Sequence, residues 1–294
     1  MHSVGLVLHP RRDSAPAVAA VLDWAANRGI EILGIADEIG RLDCAAVGVL
    51  PAELGRRSDL MVSLGGDGTM LRAMRLADGQ RAPVLGVNLG KLGFLAEVDV
   101  PDLPDALSAI DGHEFTIEPR LAVDAVLGGQ TVTAFNDVAV VRVPGDGSAV
   151  VAVRVAGQPF VSYSADAVIV ATPTGSTAYS FSAGGPITSP AVEALLVTPA
   201  APHSAYSRGV VLSVHDEVVL DILPSSGRLA VEVDGEVAGY VQPGDRIELR
   251  GRPSAARVVR LGLTTFYQRA RRKLRLTDSA EIPPSAPDGA GGWT

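Results

Sequence analysis

The sequence predicts two unlike halves: an α/β N-terminal domain with a mainly parallel sheet, then an all-β, sandwich-like C-terminal domain. Three observations predict this. In the first hundred residues, apolar strand-like runs alternate with helical stretches, the order that crossovers between parallel strands produce. From Gly112 onward the helical stretches stop, and short Val-rich runs recur between turn residues, as in a β-sandwich. Hydrophobic residues make up 47% of the 294, with aromatics at only 4%. That is enough apolar surface for two cores, and the abundant Val and Ile favour strands.

In chain order, Val4 to Leu8 reads as a buried strand ended by His9-Pro10, and Ala15 to Arg28 as a helix stopped by Gly29. Glu31 to Ile35, Leu60 to Leu64 and Pro83 to Val87 read as three further strands, with a helix over Met70 to Asp78. This α/β domain spans 1–111. The β domain spans 112–265. It opens with strands Phe115 to Leu127 and Thr131 to Val143 around Gly128-Gly129. Further strands are expected over Ala149–Val155, Asp166–Ala171, Val210–Val214, Glu217–Ile222, Leu229–Val233, Arg246–Leu249 and Arg257–Leu261. Turns such as Pro224-Ser-Ser-Gly227 and Asp234-Gly235 separate them. Residues 266–281 form a basic return segment, either a solvated helix or chain return, or a segment that faces a phosphate or packs between domains. Residues 282–294, rich in Pro, Gly and Ala, have the composition of a disordered tail.

The net charge of −8 argues against general nucleic-acid binding and leaves room for a local basic pocket. A single cysteine, Cys44, rules out an intrachain disulfide and fits a reducing compartment. The apolar run at the N-terminus is too short for a signal peptide, and no segment approaches membrane-spanning length. The expectation is a soluble, cytoplasmic protein without a membrane or nucleic-acid partner.

Residues 63–69, Ser-Leu-Gly-Gly-Asp-Gly-Thr, stand between a strand and a helix, where α/β domains bind phosphate. Absent Cβ atoms admit a ligand to the backbone, and free amides at the helix start attract anions. No third glycine completes a dinucleotide fingerprint. Gly86 to Leu92 is one residue short of a P-loop and has Leu where Ser or Thr must hold magnesium. What remains is an acid, Asp67, inside a phosphate turn. It can accept a proton from an attacking hydroxyl or help to hold Mg²⁺. The plainer alternative is an Asx turn capping the next helix. A second segment weighs against it: six Ser or Thr residues stand within positions 172–182, followed by Gly184-Gly185-Pro186. That density of hydroxyls and open amides suits a nucleotide better than a turn.

Together, Gly65-Gly-Asp-Gly-Thr69 and Thr172-Pro-Thr-Gly-Ser-Thr-Ala-Tyr179 resemble the NAD kinase family. Gly86 to Leu95, the pair Asn136-Asp137 and Pro202-His203 extend the resemblance to roughly residues 4–275. The first signature is shared with lipid kinases and phosphofructokinases; the second is specific. The resemblance implies phosphoryl transfer from ATP, or from polyphosphate, to the 2′-hydroxyl of the adenosine ribose of NAD⁺, giving NADP⁺. Asp67 would be the base and a contact for Mg²⁺ or another divalent metal, while Gly66, Gly68 and Thr69 would cradle donor phosphates. Asn136 and Asp137 would bind a ribose or adenine, and Asp166 an amide or amino group. Thr174, Thr177, Ala178, Tyr179 and His203 would line the dinucleotide site. Family members assemble through the β domain, so a homodimer or homotetramer is expected.

Read without the resemblance, Asn136-Asp137 is a bulge, Asp166 a hairpin residue, His203 a surface histidine and Asp234-Gly235 a hairpin turn. Three positions depart from the family: Asp137 where Glu is usual, Ala167 where Gly is common, and Gly209 where Pro is usual. The shorter acid reaches less far, and a bridging water would fill the gap. Two other readings share the glycine turn or the nucleotide segment: a lipid or sugar kinase, and a non-catalytic NAD(H) sensor.

Overall fold

The computed structural model describes residues 1–42, 44–90 and 93–276. The expected tail over 282–294, the end of the return segment and Lys91-Leu92 of the 86–95 stretch lie outside the described residues. The N-terminal half runs β1 (Ser3–Leu8), α1 (Ala15–Ala26), β2 (Glu31–Ile35), α2 (Ala36–Ile39), β3 (Val47–Val49), α3 (Pro51–Arg57), β4 (Leu60–Gly65), α4 (Asp67–Ala77), β5 (Val84–Asn88), β6 (Val98–Asp99) and α5 (Leu103–Asp111). Neighbours β3-β2-β1-β4-β5 are all parallel, and β6 adds to β5 in the same sense. In α1, Pro at the first turn pre-sets the helix. Its buried stripe Ala17, Val18, Val21, Trp24 and Ala25 has helical spacing. The expected strands are present. Those not expected, β3 and β6, are three and two residues long, too short to carry a period. Helix α5 was also unforeseen, although Leu103, Ala106, Leu107 and Ile110 are buried on one face.

The second half runs β7 (Thr116–Leu127), β8 (Gln130–Ala134), β9 (Asp137–Arg142), β10 (Ala149–Val155), β11 (Gln158–Ala165), β12 (Ala167–Ala171), α6 (Tyr179–Ser182), β13 (Ala194–Ala200), β14 (Val210–Ser213), β15 (Val218–Ile222), β16 (Leu229–Val233), β17 (Glu236–Val241), β18 (Arg246–Arg260) and α7 (Phe266–Leu274). Six strands, β14-β13-β12-β9-β16-β17, form an antiparallel sheet. It packs on β7, β8, β10, β11, β15 and β18 through one core of Val, Leu, Ile and Ala that draws on both layers. The fold is therefore an α/β N-terminal domain with a mostly parallel sheet and a C-terminal antiparallel β domain.

Three details differ from the expectation. The stretch expected as one strand, 131–143, breaks at Phe135-Asn136 into β8 and β9, which belong to different sheets. Strand β18 is a single 15-residue element where two were expected. It pairs antiparallel with β7 and β15 and parallel with β5 at Val258 and Val84, so one sheet runs through both halves. Strands β11, β13 and β17 went unread because Ser, Pro199 and Gly239 interrupt their apolar pattern. Helix α7 opens with a capping box, Thr265 with Gln268. Its Arg269 is only 1% exposed, whereas Arg271, Arg272, Lys273 and Arg275 are exposed, so the basic stretch is a surface helix anchored through one buried arginine. No helix among the described residues is long and apolar enough to cross a membrane.

Candidate active site

Strand β4 ends at Gly65, Gly66 stands at the N-cap in extended conformation, and Asp67 is the first residue of α4. The helix thus starts three residues before Met70, and a carboxylate in its first turn is favoured by the helix dipole. Asp67 makes no side-chain cap on its own helix, so the simple capping role is not the one adopted. Its carboxylate instead accepts the main-chain N–H of Phe94 (3.0–3.1 Å) and of Leu95 (3.0 Å). Lys273 of α7 places Nζ 3.2 Å from Oδ2 and also lies over the Phe94 ring at 4.6 Å. Gly93 makes this docking feasible: a Cβ there would stand 2.1 Å from Oδ1. At Gly65 a Cβ would meet Thr69 Oγ1 at 2.1 Å, whereas beyond Gly66 and Gly68 there is open space. Thr69 itself is buried.

That open space belongs to a cavity of about 440 Å³ lined by His9, Arg12, residues 66–69, Arg72, Arg75 and Glu236. Arg72 is braced by Glu38 at 2.6 Å and by the Leu8 carbonyl. Arg75 lies 3.8 Å from Asp234 and 3.9 Å from Glu236. Burial pushes the His9 imidazole below its usual range, and Arg12, Arg11 and Arg72 push it the same way. A helix N-terminus beside three guanidinium groups has the electrostatics to attract an anion. These arginines escaped the sequence reading, although Arg72 and Arg75 follow Thr69 at helical spacing and share its face. Lys273 lay within the basic return segment, with nothing local to set it apart from the arginines beside it.

The second signature follows β12. Its loop rests on the β8–β9 break: Thr172 donates through N–H to the Asn136 carbonyl and through Oγ1 to that of Phe135. Gly175 fits because a Cβ would stand 2.1 Å from the Asn136 oxygen. Not all the hydroxyls face a ligand. Ser176 donates to Pro173, Ser180 pairs with Thr198, and Thr177 donates to the Thr174 carbonyl. Thr174 is buried and its Oγ1 accepts from Arg120 at 3.1 Å. Ala178 stands between this turn and α6, which Tyr179 opens.

Asp234 does more than make a turn. It does sit in the β16–β17 hairpin, with φ +49° followed by Gly235 at +82°. Its buried carboxylate accepts N–H from Phe135, Asn136 and Asp137, fixing the break between β8 and β9. Beside it Asp137 is 4% exposed. Burial raises its pKa to about 7, and Asp234 and Glu232 add to the rise. Burial also raises the Tyr179 phenol, with Glu232, Asp166 and Asp137 contributing in turn, so these groups share one neighbourhood. Asp166 is more open and pairs with Arg142 at 2.5 Å. His203 is exposed, with its N–H on the Ser164 carbonyl. Its ring makes no hydrogen bond or ion pair with the other candidate residues.

A family model for the N-terminal domain of ATP-NAD kinase matches residues 4–115, and one for the C-terminal domain matches 135–261. NAD kinase 1 of Streptomyces avermitilis is 38% identical, over 97% of this chain and 90% of its own length. The NAD kinase of Desulforamulus reducens is 39% identical, over 94% and 98%. Among solved structures, yeast NADH kinase complexed with NADH aligns with a TM-score of 0.83 at 24% identity, covering 96% of this chain and 90% of that one. An NAD kinase from Archaeoglobus fulgidus in complex with ATP aligns at 0.72 and 24%, covering 93% and 98%. At that identity the two structures speak for the fold.

Proposed function

Because this chain belongs to the ATP-NAD kinase family of enzymes, we propose that it moves a phosphoryl group from ATP, or polyphosphate, to the 2′-hydroxyl of the adenosine ribose of NAD⁺. The observation that carries this reading is the turn at 66–69. There a partly exposed carboxylate, Asp67, borders a cavity walled by Arg12, Arg72 and Arg75. Phosphoryl transfer needs an anion cradle and an acceptor for the attacking hydroxyl's proton in one place.

The α/β domain, 1–111, supplies the donor side. Gly66 and Gly68 let phosphates approach the α4 amides, and Thr69 closes the turn beneath. The β domain, 112–265, supplies the dinucleotide side through Asn136, Asp137, Asp166, Thr174, Thr177, Ala178 and Tyr179, with His203 at its exposed margin. Asp67 takes the proton from the attacking hydroxyl. The amides of residues 94 and 95, with Lys273 of the return segment, keep its oxygens aimed in one direction.

Among the described residues no cluster of three or more His, Cys, Asp or Glu is arranged to hold a metal. Were a divalent cation bound at this turn, Asp67 would be the residue to hold it, and the ion would supply charge neutralisation at the transferring group. Exposed Val211 on β14, and Val237 and Tyr240 on β17, support self-association of the β domain into a homodimer or homotetramer. The single cysteine fits a cytoplasmic setting.

The test is to incubate the protein with Mg²⁺, NAD⁺ or NADH and either ATP or polyphosphate, and look for the 2′-phosphorylated product. Asp67→Asn is expected to lower turnover by roughly 10²–10⁴-fold, the usual worth of a general base, with the fold intact. Near-normal turnover in that variant removes the base. Dinucleotide binding without product from any donor makes the protein a sensor instead.

A further inference from the structure

Arg120 has no part in the reading above, yet it is 2% exposed and reaches the second signature from inside the molecule. It stands on β7 two residues after Glu118, on the same strand face. Its Nη2 donates to Glu118, and its Nη1 to Thr174 Oγ1 at 3.1 Å. Glu118 Oε1 also accepts Arg260 Nε at 2.9 Å. Arg260 Nη1 donates to the Leu95 carbonyl at 2.8 Å, and Arg269 Nε to that of Phe94 at 3.1 Å. The N–H groups of Phe94 and Leu95 are those held by Asp67. A continuous line of bonds thus runs from Asp67 through the 94–95 backbone, Arg260, Glu118 and Arg120 to Thr174.

Two facts make this line more than packing. Arg120, Arg260 and Arg269 are all buried around the one carboxylate of Glu118; Arg120 Nε has no hydrogen-bond partner, and Arg260 Nη2 has only its ion pair with Glu118 Oε1 at 2.9 Å. Replacing such a cluster by apolar side chains costs little, while leaving it incomplete costs much, so it needs a reason to be there. Moreover, a guanidinium donates and never accepts. Burial lowers the Arg120 pKa to about 10, against the pull of Glu118, so it stays charged at neutral pH. Thr174 Oγ1 therefore accepts from Arg120, and its own hydrogen has no acceptor among the described residues.

We propose that Arg120 is a positioning residue that turns Thr174 into an obligate hydrogen-bond donor to the dinucleotide and, through Glu118 and Arg260, fixes that donor relative to Asp67. The ligand group opposite Thr174 is then an acceptor, such as a ring nitrogen or a carbonyl oxygen. This inference rests on the dinucleotide site proposed above.

The experiment measures NAD⁺ binding by calorimetry and donor KM by kinetics on Arg120→Met, Arg120→Lys, Thr174→Val, Thr174→Ser and the Met/Val double variant, after thermal melts establish folding. Thr174→Val and Arg120→Met should each weaken NAD⁺ binding by roughly tenfold, the worth of about one hydrogen bond. The double variant should be no worse than either single, and ATP KM should move less than twofold. Thr174→Ser should bind like the parent. Arg120→Lys should fall between, since one ammonium cannot span both partners as a fork does. Additive losses, or an Arg120→Met protein binding NAD⁺ within twofold of the parent, overturn the proposal. If Arg120→Met does not fold, Arg120→Lys paired with Thr174→Val supplies the same cycle. Coupled NAD⁺ binding in a protein that forms no phosphorylated product refutes the kinase reading alone. A parent protein without affinity for NAD⁺ refutes both.

Discussion

Gly93→Ala strikes at the placement of Asp67, the proposed general base, without touching its chemistry. A methyl at 93 would lie 2.1 Å from Asp67 Oδ1, 2.8 Å from Cγ and 3.0 Å from Oδ2. An ordinary carbon–oxygen contact needs a little over 3 Å, so the carboxylate must retreat by about 1 Å. The hydrogen bonds from Phe94 and Leu95 now measure 3.0–3.1 Å; at about 4 Å they no longer exist. Their loss, with the acceptor charged, should cost roughly 2–3 kcal/mol. At about 2–4 °C per kcal/mol for a chain of this size, the midpoint should fall by roughly 4–12 °C. A 1 Å misplacement of a reacting group typically costs about 10²-fold. NADP⁺ formation, followed with an NADP-specific dehydrogenase, should drop in kcat by about that factor at 20 °C, where the variant is still folded. A kcat within threefold of the parent would show that Asp67 need not be held by the 94–95 amides.

Stability should respond to pH through Asp137. Its folded pKa of about 7 lies above the ordinary 3.8, so the folded state binds this proton more tightly. The associated stability is complete below about pH 4 and is lost as pH rises through about 7, a few kcal/mol in all. Asp137→Asn should flatten thermal midpoints across pH 4–7 and raise the midpoint at pH 8. Arg252 bridges Asp78 at the end of α4 to Asp124 on β7, with bonds of 2.6–3.1 Å. It is 37% exposed, so solvent screens the pairs, and Arg252→Ala should cost about 1–2 kcal/mol in a urea titration. Arg12→Met should raise the donor KM roughly five- to tenfold and flatten its salt dependence, because a phosphate contact is screened by ions, while the KM for NAD⁺ stays put.

Much of the α/β half was legible because buried parallel strands are nearly continuous apolar runs. Val4 to Leu8 and Leu60 to Leu64 could hardly be read otherwise. The β half was legible as a class but less so as strands. The 15-residue β18 changes its buried face as it passes from the sandwich core to that of the α/β half, so it read as two strands. At the site, Asp67 and the glycines around it stood out because their chemistry is local. Asp234 read as a hairpin and is one, yet its carboxylate serves residues nearly a hundred positions away. Arg269 and Lys273 act on Phe94 and Asp67 across still longer stretches of chain, and Arg120 reaches Thr174, 54 positions on, so nothing near them in sequence announces these contacts.

Strand β18 threads the whole molecule, giving its first half to the sandwich and its last residues to the edge of β5. The two halves are consequently not portable modules. A clone ending near residue 115 would expose the flank of β5 to water and lose Arg260, Arg269 and Lys273. Its glycine turn would survive in spelling while the scaffold aiming Asp67 was gone. Any hinge motion between the halves would have to bend β18, the strand they share.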